Sequence, residues 1–152
     1  MPKLLTLISF FTLLAVIARM DQKTMKIPDG LVWAVAAVGA VSVFTMPETG
    51  LTSRIAGMLA VSLPILFISM AAPKAFGGGD IKLMAAGGLF LGARLIATAF
   101  VFGIVSGGIC GLALWITGKK GRRDVFPFGP FLCAGMALGY FWGDAAWRWF
   151  WG

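Results

Sequence analysis

The stretch Leu95–Thr117, LIATAFVFGIVSGGICGLALWIT, runs without a single charged residue. At ~1.5 Å per residue, an α-helix of this length crosses the ~30 Å hydrocarbon core of a bilayer. The rest of the chain is similar in character, because 59% of its 152 residues are hydrophobic and only 12% are charged. A soluble domain of this size could not bury so much apolar surface. The sequence therefore predicts an integral membrane protein.

Five further apolar runs are separated from this stretch by short polar turns. They are Leu4–Ala18, Leu31–Met46, Ile55–Ala72 (which carries Pro64), Leu83–Leu91, and a run that begins near Phe128. Proline removes a backbone N–H and crowds the preceding turn, so a kink is expected in the third run. The fourth run is too short to span the bilayer alone, and it must borrow flanking residues or be partly re-entrant. We predict an all-α, polytopic membrane protein of six transmembrane helices with a short fourth segment, in a single membrane-embedded domain over residues 1–152.

The first run has two interpretations. Lys3 ahead of it and Val16, Ile17 and Ala18 at its end are typical of a secretory signal peptide. Because Met1 is retained and further spans follow, we expect a true first span instead.

Basic residues are distributed unevenly between the two sides that six spans would create. The first, third and fifth loops hold nine of them, against four on the opposite side (Lys3, Arg54, Arg94 and Arg148). Because cytoplasmic loops carry the excess of Lys and Arg, the nine are predicted to face the cytoplasm. The nine are Arg19, Lys23, Lys26, Lys74, Lys82, Lys119, Lys120, Arg122 and Arg123.

Two features of the last runs concern packing. Gly103, Gly107 and Gly111 form a stripe of small residues on the fifth run, which fits packing within one chain as well as a dimer seam. The end of the sixth run is crowded with aromatic residues, which favours an interfacial belt over rings packed between helices. The aromatic residues are Phe141, Trp142, Trp147, Trp149, Phe150 and Trp151.

Composition excludes several classes of site. The chain has no histidine, which excludes Ser-His-Asp and Cys-His nucleophiles and the HExxH metal helix. Cys110 and Cys133 both lie in apolar runs and form no CxxC pair, so neither a zinc nor a redox site is expected. The net charge of +7 is explained by basic residues that flank spans and meet anionic lipid, so no nucleic-acid partner is expected. No cofactor is predicted.

Two of the six acidic residues stand out by position. Asp21 directly follows the first apolar run, and Asp80 follows Gly77, Gly78 and Gly79 at the start of the fourth. If the two carboxyl groups met in a low-dielectric pocket, they would share a proton. The ionised one could then take a proton from water while the protonated one polarised a scissile carbonyl. The alternative from the residues alone is two solvated acids at helix ends, paired with Lys23 or Lys82.

Three motifs resemble those of the type IV prepilin peptidases. FGGGDIKL at residues 76–83 looks like the GxGD signature of that family, and DQKTMKIPD at residues 21–29 resembles its motif of Asp followed seven positions later by Pro and then Asn or Asp. PFGPF at residues 127–131 is similar to a third recurrent stretch at the start of the last helix. The motifs occur in the family's order, and the pattern of apolar runs covers nearly the whole chain.

The resemblance implies a membrane aspartyl endopeptidase in the bacterial inner membrane. Its substrate would be a type IV pilin-like precursor, whose basic leader is removed at the cytoplasmic face, just ahead of the hydrophobic helix. The catalytic pair maps onto Asp21 and Asp80, and Gly77–Gly79 would shape the site. Met25 stands where a basic residue is common, which puts a leader- or lipid-facing role there in doubt. Larger relatives carry a cysteine-bearing region and methylate the new N-terminus, so the chain is expected to be the short, protease-only form found with tight-adherence pili.

Lys82 and the four remaining acids are expected to have other roles. Lys82 either holds Asp80 or meets lipid headgroups, and the sequence leaves both open. Asp29 is expected to start a helix after Pro28, Glu48 to lie in a turn on the opposite side, Asp124 to balance Arg122 or Arg123, and Asp144 to lie near the aromatic belt.

Three rival interpretations are kept. Ser69 and Lys74 could form a serine-lysine pair, although Pro73 between them is expected to end the helix. A small transporter could use the two acids as proton or cation sites, but transport favours acids near mid-membrane. A non-catalytic membrane subunit of a pilus assembly machine is the third. We also expect the substrate helix to enter laterally from the bilayer, beside the short fourth segment.

Overall fold

The computed structural model describes residues 1–121 and 125–152, and within these residues every regular element is an α-helix. The prediction of an all-α protein is therefore confirmed. Arg122, Arg123 and Asp124, which were predicted to form part of a charged loop, lie outside the described residues. The helices are α1 (Pro2–Thr24), α2 (Asp29–Thr45), α3 (Leu51–Ala60), α4 (Ser62–Ala71), α5 (Gly78–Leu91), α6 (Ala93–Ile116) and α7 (Gly129–Trp151).

The third apolar run is broken rather than continuous. Helix α3 ends at Ala60 and α4 begins at Ser62, with Val61 between them. Pro64 lies in the first turn of α4, where its missing N–H costs nothing, and its ring would clash with the Ala60 carbonyl of a continuous helix. The predicted kink is present, and it lies just ahead of the proline.

Span lengths support a helical, multi-pass membrane protein. Among the described residues, three segments are long and apolar enough to cross a bilayer: Pro2–Thr24, Leu51–Ala71 and Ala93–Ile116. Helix α2 is apolar but has only 17 residues, and α5 has 14. At ~1.5 Å per residue α5 is ~21 Å long, shorter than the hydrocarbon core. The number of spans, six, stays a prediction.

The short helix α5 lies at the centre of the bundle, packed against α2, α3, α4, α6 and α7. Its apolar residues Leu83, Met84 and Phe90 are buried. Helix α3 approaches α5 so closely that a Cβ on Gly88 would collide with the Gly57 carbonyl. Small residues therefore allow the backbones to touch, and the short fourth segment is enclosed by the neighbouring helices.

The glycine stripe on α6 packs inside the chain. A Cβ on Gly103 would lie 3.2 Å from the Phe131 carbonyl oxygen, and one on Gly111 would lie 3.3 Å from the Phe126 ring. The Phe128 ring similarly covers Gly107. The start of α7 thus occupies this stripe, which supports packing within one chain rather than a dimer seam.

Arg54 differs most from its sequence-based assignment. It was counted among the basic residues of the outer side, yet its side chain is 0% exposed. Its guanidinium donates to carbonyl oxygens near the C-terminal ends of two helices and in the turn after α2. The acceptors are Ser42 O at 3.0 Å, Met46 O at 2.8 Å, Thr49 O at 3.0 Å, Leu89 O at 2.9 Å and Phe90 O at 3.2 Å, together with the Ser42 hydroxyl. Arg54 therefore ties α2 to α5 instead of facing lipid headgroups.

The aromatic residues at the end of α7 are largely exposed. Trp142, Trp149, Phe150 and Trp151 turn most of their surface outward, whereas Trp147 lies 5.7 Å from the Arg94 guanidinium. Exposed tryptophans at one end of a membrane helix are typical of an interfacial belt. This arrangement favours the belt over packing between helices.

Candidate active site

Asp21 is placed in the bundle by the period of α1. The buried residues of this helix include Phe10, Leu14, Ile17 and Asp21, which are spaced three or four apart and so lie on one face. Asp21 extends this apolar stripe toward the last turn of α1 and is only 6% exposed. A carboxyl group so buried must find a compensating partner.

That partner is the first residue of α7. The Gly129 N–H donates to Asp21 Oδ2 at 2.9 Å. N–H groups at a helix start have no partner within the helix, and the dipole there favours negative charge. A Cβ on Gly129 would lie 2.6 Å from the same oxygen, so only glycine fits. The sequence resemblance singled out the PFGPF stretch but did not identify this bond.

Asp80 lies in the first turn of α5 and is 9% exposed. The Gly77 N–H donates to Asp80 Oδ2 at 3.3 Å, as a carboxylate at the third helical position commonly accepts from the residue ahead of the helix. No side chain or other atom lies within 4 Å of a Cβ built on Gly78, whereas one on Gly79 would lie 3.0 Å from Ile27. The glycines leave open space on one side of Asp80.

The two acids line one cavity of about 290 Å³. The other lining residues come from the turn after α1 and from the glycine run: Met25, Lys26, Ile27, Gly77, Gly78 and Gly79. The structure therefore brings Asp21, Asp80 and the predicted glycines together, although their catalytic role stays a prediction.

Met25 forms the turn that closes one wall of this cavity. Its φ of 57° is left-handed, and its N–H donates to the Asp21 carbonyl at 2.9 Å, which ends α1. Residues other than glycine adopt this conformation rarely. This left-handed residue lies four positions after Asp21, at the position where a basic residue was expected.

Lys82 does not pair with Asp80. Its Nζ lies 3.0 Å from Asp29 Oδ1, and both side chains are exposed by more than half. Asp29 is the first residue of α2, as predicted. The alternative in which Lys82 holds Asp80 is therefore not seen, whereas contact of the exposed Lys82 side chain with lipid headgroups stays a prediction. Within the described part of the chain, neither Asp21 nor Asp80 forms an ion pair.

Two further acids do pair with cations at the opposite end of the bundle. Glu48 forms an ion pair with Lys3, and Asp144 Oδ1 lies 3.4 Å from Arg94 Nε. Both acids are exposed, as are their cationic partners. Glu48 lies in the turn after α2, and Asp144 lies in α7 among the aromatic residues at its end, as predicted.

The serine-lysine alternative gains no support. Ser69 Oγ is buried without a hydrogen-bond partner among the described residues, and Lys74 is exposed beyond the end of α4 at Ala71. The described residues also contain no group of three or more His, Cys, Asp or Glu side chains arranged to hold a metal ion. The aspartate cavity is therefore the best-supported candidate for a catalytic site among the described residues.

Comparison with known proteins also points to a peptidase. The model of the type IV leader peptidase family matches residues 8–112. The chain is 34% identical over 139 residues to a prepilin leader peptidase/N-methyltransferase of Bacillus subtilis, covering 90% of the chain and 55% of that protein. It is 33% identical over 135 residues to one of Legionella pneumophila, covering 86% and 47%, and 31% identical to one of Burkholderia pseudomallei, covering 86% and 44%.

The chain thus spans about half the length of the curated relatives it matches. No solved structure matches it. The family model covers more than half of the chain and includes both Asp21 and Asp80. On these grounds the chain belongs to the type IV leader peptidase family.

Proposed function

We propose that this protein is a membrane aspartyl endopeptidase that removes the basic leader peptide from type IV pilin-like precursors. The observation that carries the proposal is the shared cavity of Asp21 and Asp80, two buried acids that are far apart in sequence and both lie within the family match. The names of the relatives support the substrate class, because each is a prepilin leader peptidase/N-methyltransferase.

The chemistry follows from two carboxyl groups that share one proton. The ionised carboxylate accepts a proton from water as the water oxygen attacks the scissile carbonyl carbon. The protonated carboxyl donates its proton to the carbonyl oxygen, which gives a neutral tetrahedral intermediate. As this intermediate collapses, one hydroxyl group returns its proton to the second aspartate, the C–N bond breaks, and the first aspartate donates its proton to the leaving amine. Hydrolysis consumes one water and leaves one acid and one amine.

Asp21 is held for this task by a backbone donor rather than by a cation. The bond from Gly129 N–H fixes one carboxyl oxygen while leaving the group's charge unneutralised by any described ion pair. Asp80 is fixed in the same way by Gly77 N–H. Fixed orientation matters because a displacement of ~1 Å can cost about 100-fold in rate. Either acid could take either role, and both assignments use the same geometry.

We further propose that the protein spans the bacterial inner membrane six times and that the aspartate cavity opens on the cytoplasmic side. Lys23, Lys26, Lys74 and Lys82 belong to helix ends or turns on the side of Asp21 and Asp80. Arg54, counted for the other side, is buried and hydrogen-bonded, which sharpens the asymmetry of exposed basic charge. Helices α2 and α5 would be completed as spans by their flanking turns.

The experiment is cleavage of a purified precursor by the purified protein. Asp21→Asn and Asp80→Asn should each lower kcat by about 10²–10⁴-fold, the contribution typical of general acid–base groups. Asp144→Asn is the matched control, because Asp144 is an exposed acid at the other end of the bundle, and its rate should stay close to wild type. Undiminished cleavage by both site variants would refute the proposal.

The rival functions predict other outcomes. A transporter would use acids near mid-membrane, whereas Asp21 lies near the end of α1 and Asp80 near the start of α5. Loss of ion flux in proteoliposomes with intact processing would favour transport. A non-catalytic assembly subunit would leave the precursor uncut at every enzyme concentration.

A further inference from the structure

A second cavity, of about 280 Å³, lies on the outer side of the α2–α5 pair, with Met58 of α3 contributing to its wall. Its site-side end is closed by the Asp29–Lys82 ion pair. Its other end is closed where α2 meets α5, because a Cβ on Gly39 would lie 3.1 Å from Leu89. We name this space, between the ion pair and Leu89, the α2–α5 groove.

The groove exists because small side chains face each other there. On α2 its lining includes Val32, Trp33 and Ala36, and on α5 it includes Ala85 and Ala86. Val32 and Trp33 lie three and four residues after Asp29, and Ala85 and Ala86 lie three and four residues after Lys82, so each set lies on one helical face. The small alanine side chains leave the space between the helices unfilled, and Trp33 is 74% exposed at its edge. The result is an apolar, laterally open slot with a charged end.

The groove lies next to the aspartate cavity along α5, because Lys82 lines the groove while Gly78 and Gly79 line the cavity. Gly78 and Gly79 precede Lys82 by about one helical turn and therefore lie on the same side of α5 as the groove. Nothing lies within 4 Å of a Cβ on Gly78, so the surface of α5 is open there. The Asp29–Lys82 pair at the end of the groove is exposed. A polypeptide that displaced this pair could occupy both spaces at once.

We infer that the α2–α5 groove receives side chains from the hydrophobic segment that follows the scissile bond of the precursor, with Asp29 at its site-side end. This inference rests on the proposed function and extends it to substrate positioning. From Asp29 to Gly39 the groove runs ~15 Å, the rise of about ten helical residues. A volume of about 280 Å³ admits a few side chains of a helix lying alongside, not the helix itself.

The charged end of the groove permits this occupant. Asp29 and Lys82 form an exposed pair, which is weak enough to open when a polypeptide passes from the cavity into the groove. A phospholipid chain could also fill the slot, but lipid needs no open path over Gly78 to Asp80.

Photo-crosslinking tests the inference directly. A precursor that carries photo-leucine within the first ten residues after the scissile bond is irradiated with the Asp80→Asn variant in bilayers, and adducts are mapped by mass spectrometry. Adducts should map to residues 29–39 and 82–89. If wild-type protein cleaves the same precursor but the adducts map only to α4, α6 or α7, the groove assignment is wrong. If wild-type protein does not cleave it, the proposed function itself fails.

A pair of variants provides the second measurement. Ala36→Phe fills the groove, whereas Ala37→Phe adds the same bulk at an exposed position of α2 outside it. Ala36→Phe should raise KM for the precursor about tenfold or more with a smaller change in kcat, because overpacking excludes the substrate side chains. Ala37→Phe should leave KM close to wild type. Equal KM values for the two variants, the result expected of a lipid-filled slot, would overturn the inference.

Discussion

The two ends of the bundle treat buried and exposed charge in opposite ways. At one end, Glu48 and Asp144 are exposed and paired with cations, while the buried Arg54 has its guanidinium surrounded by carbonyl acceptors. At the other end, Asp21 and Asp80 are buried, and each accepts one backbone N–H bond among the described residues. The comparison indicates that a buried charge stabilises the fold when all its hydrogen-bonding groups have partners. Buried acids with few partners can instead still accept and release protons.

The largest effect on stability is expected at Arg54. Arg54→Met would leave carbonyl oxygens of α2 and α5 without donors, each costing about 1–3 kcal/mol when buried, so the free energy of unfolding should fall by ~3 kcal/mol or more. Arg94→Met, which breaks an exposed pair, should cost less than ~1 kcal/mol. Unfolding in detergent measures both. Equal losses would erase the contrast between a saturated buried charge and a surface pair.

The next effect is on catalysis, at Gly129. The methyl group of Gly129→Ala would lie 2.6 Å from Asp21 Oδ2 and displace the carboxylate, so precursor cleavage should fall about 100-fold. Gly108→Ala is the matched control, since no atom lies within 4 Å of a Cβ there. Steady-state kinetics on both folded variants measures kcat for precursor cleavage. A Gly129→Ala enzyme with wild-type kcat would mean that the N–H bond to Asp21 has no catalytic value.

The smallest effect is expected at Glu48. The hydrogen bond from Lys3 holds the pKa of the Glu48 carboxyl below its usual range. A lowered folded-state pKa stabilises the protein above the unfolded pKa and loses this effect as pH falls through the folded value. The group is fully exposed, so the change in melting temperature should be barely measurable and should vanish in high salt. An NMR titration should show the Glu48 pKa rising toward its ordinary value in Lys3→Met. An unchanged pKa would mean that the pair is absent in solution.

Local sequence patterns were sufficient to predict the helices and to select the two acids. Uninterrupted apolar runs predict membrane helices because the bilayer requires them, and an acid at the end of such a run is conspicuous. Pro64 likewise predicted the break at Val61 to within a turn. These features depend on neighbours in sequence, and a single sequence carries that information.

Contacts between distant segments could not be predicted in the same way. The Gly129 N–H lies 108 residues from its acceptor Asp21, and Arg54 finds its acceptors in α2 and α5 only after three helices have packed. The α2–α5 groove depends on where Gly39 meets Leu89. Helix packing, which hydropathy does not encode, fixes these features. The one sequence signal was the glycine inside PFGPF, a residue type that allows close approach.

The central claim is that Asp21 and Asp80 work as one unit, and the double variant tests it most directly. Residues that act together show strongly non-additive losses. Cleavage rates are measured for Asp21→Asn, Asp80→Asn and the variant carrying both substitutions, on the same purified precursor. We predict that the double variant keeps the residual rate of either single variant. Losses that multiply in the double variant would contradict the shared-proton account, as would a single variant with wild-type activity.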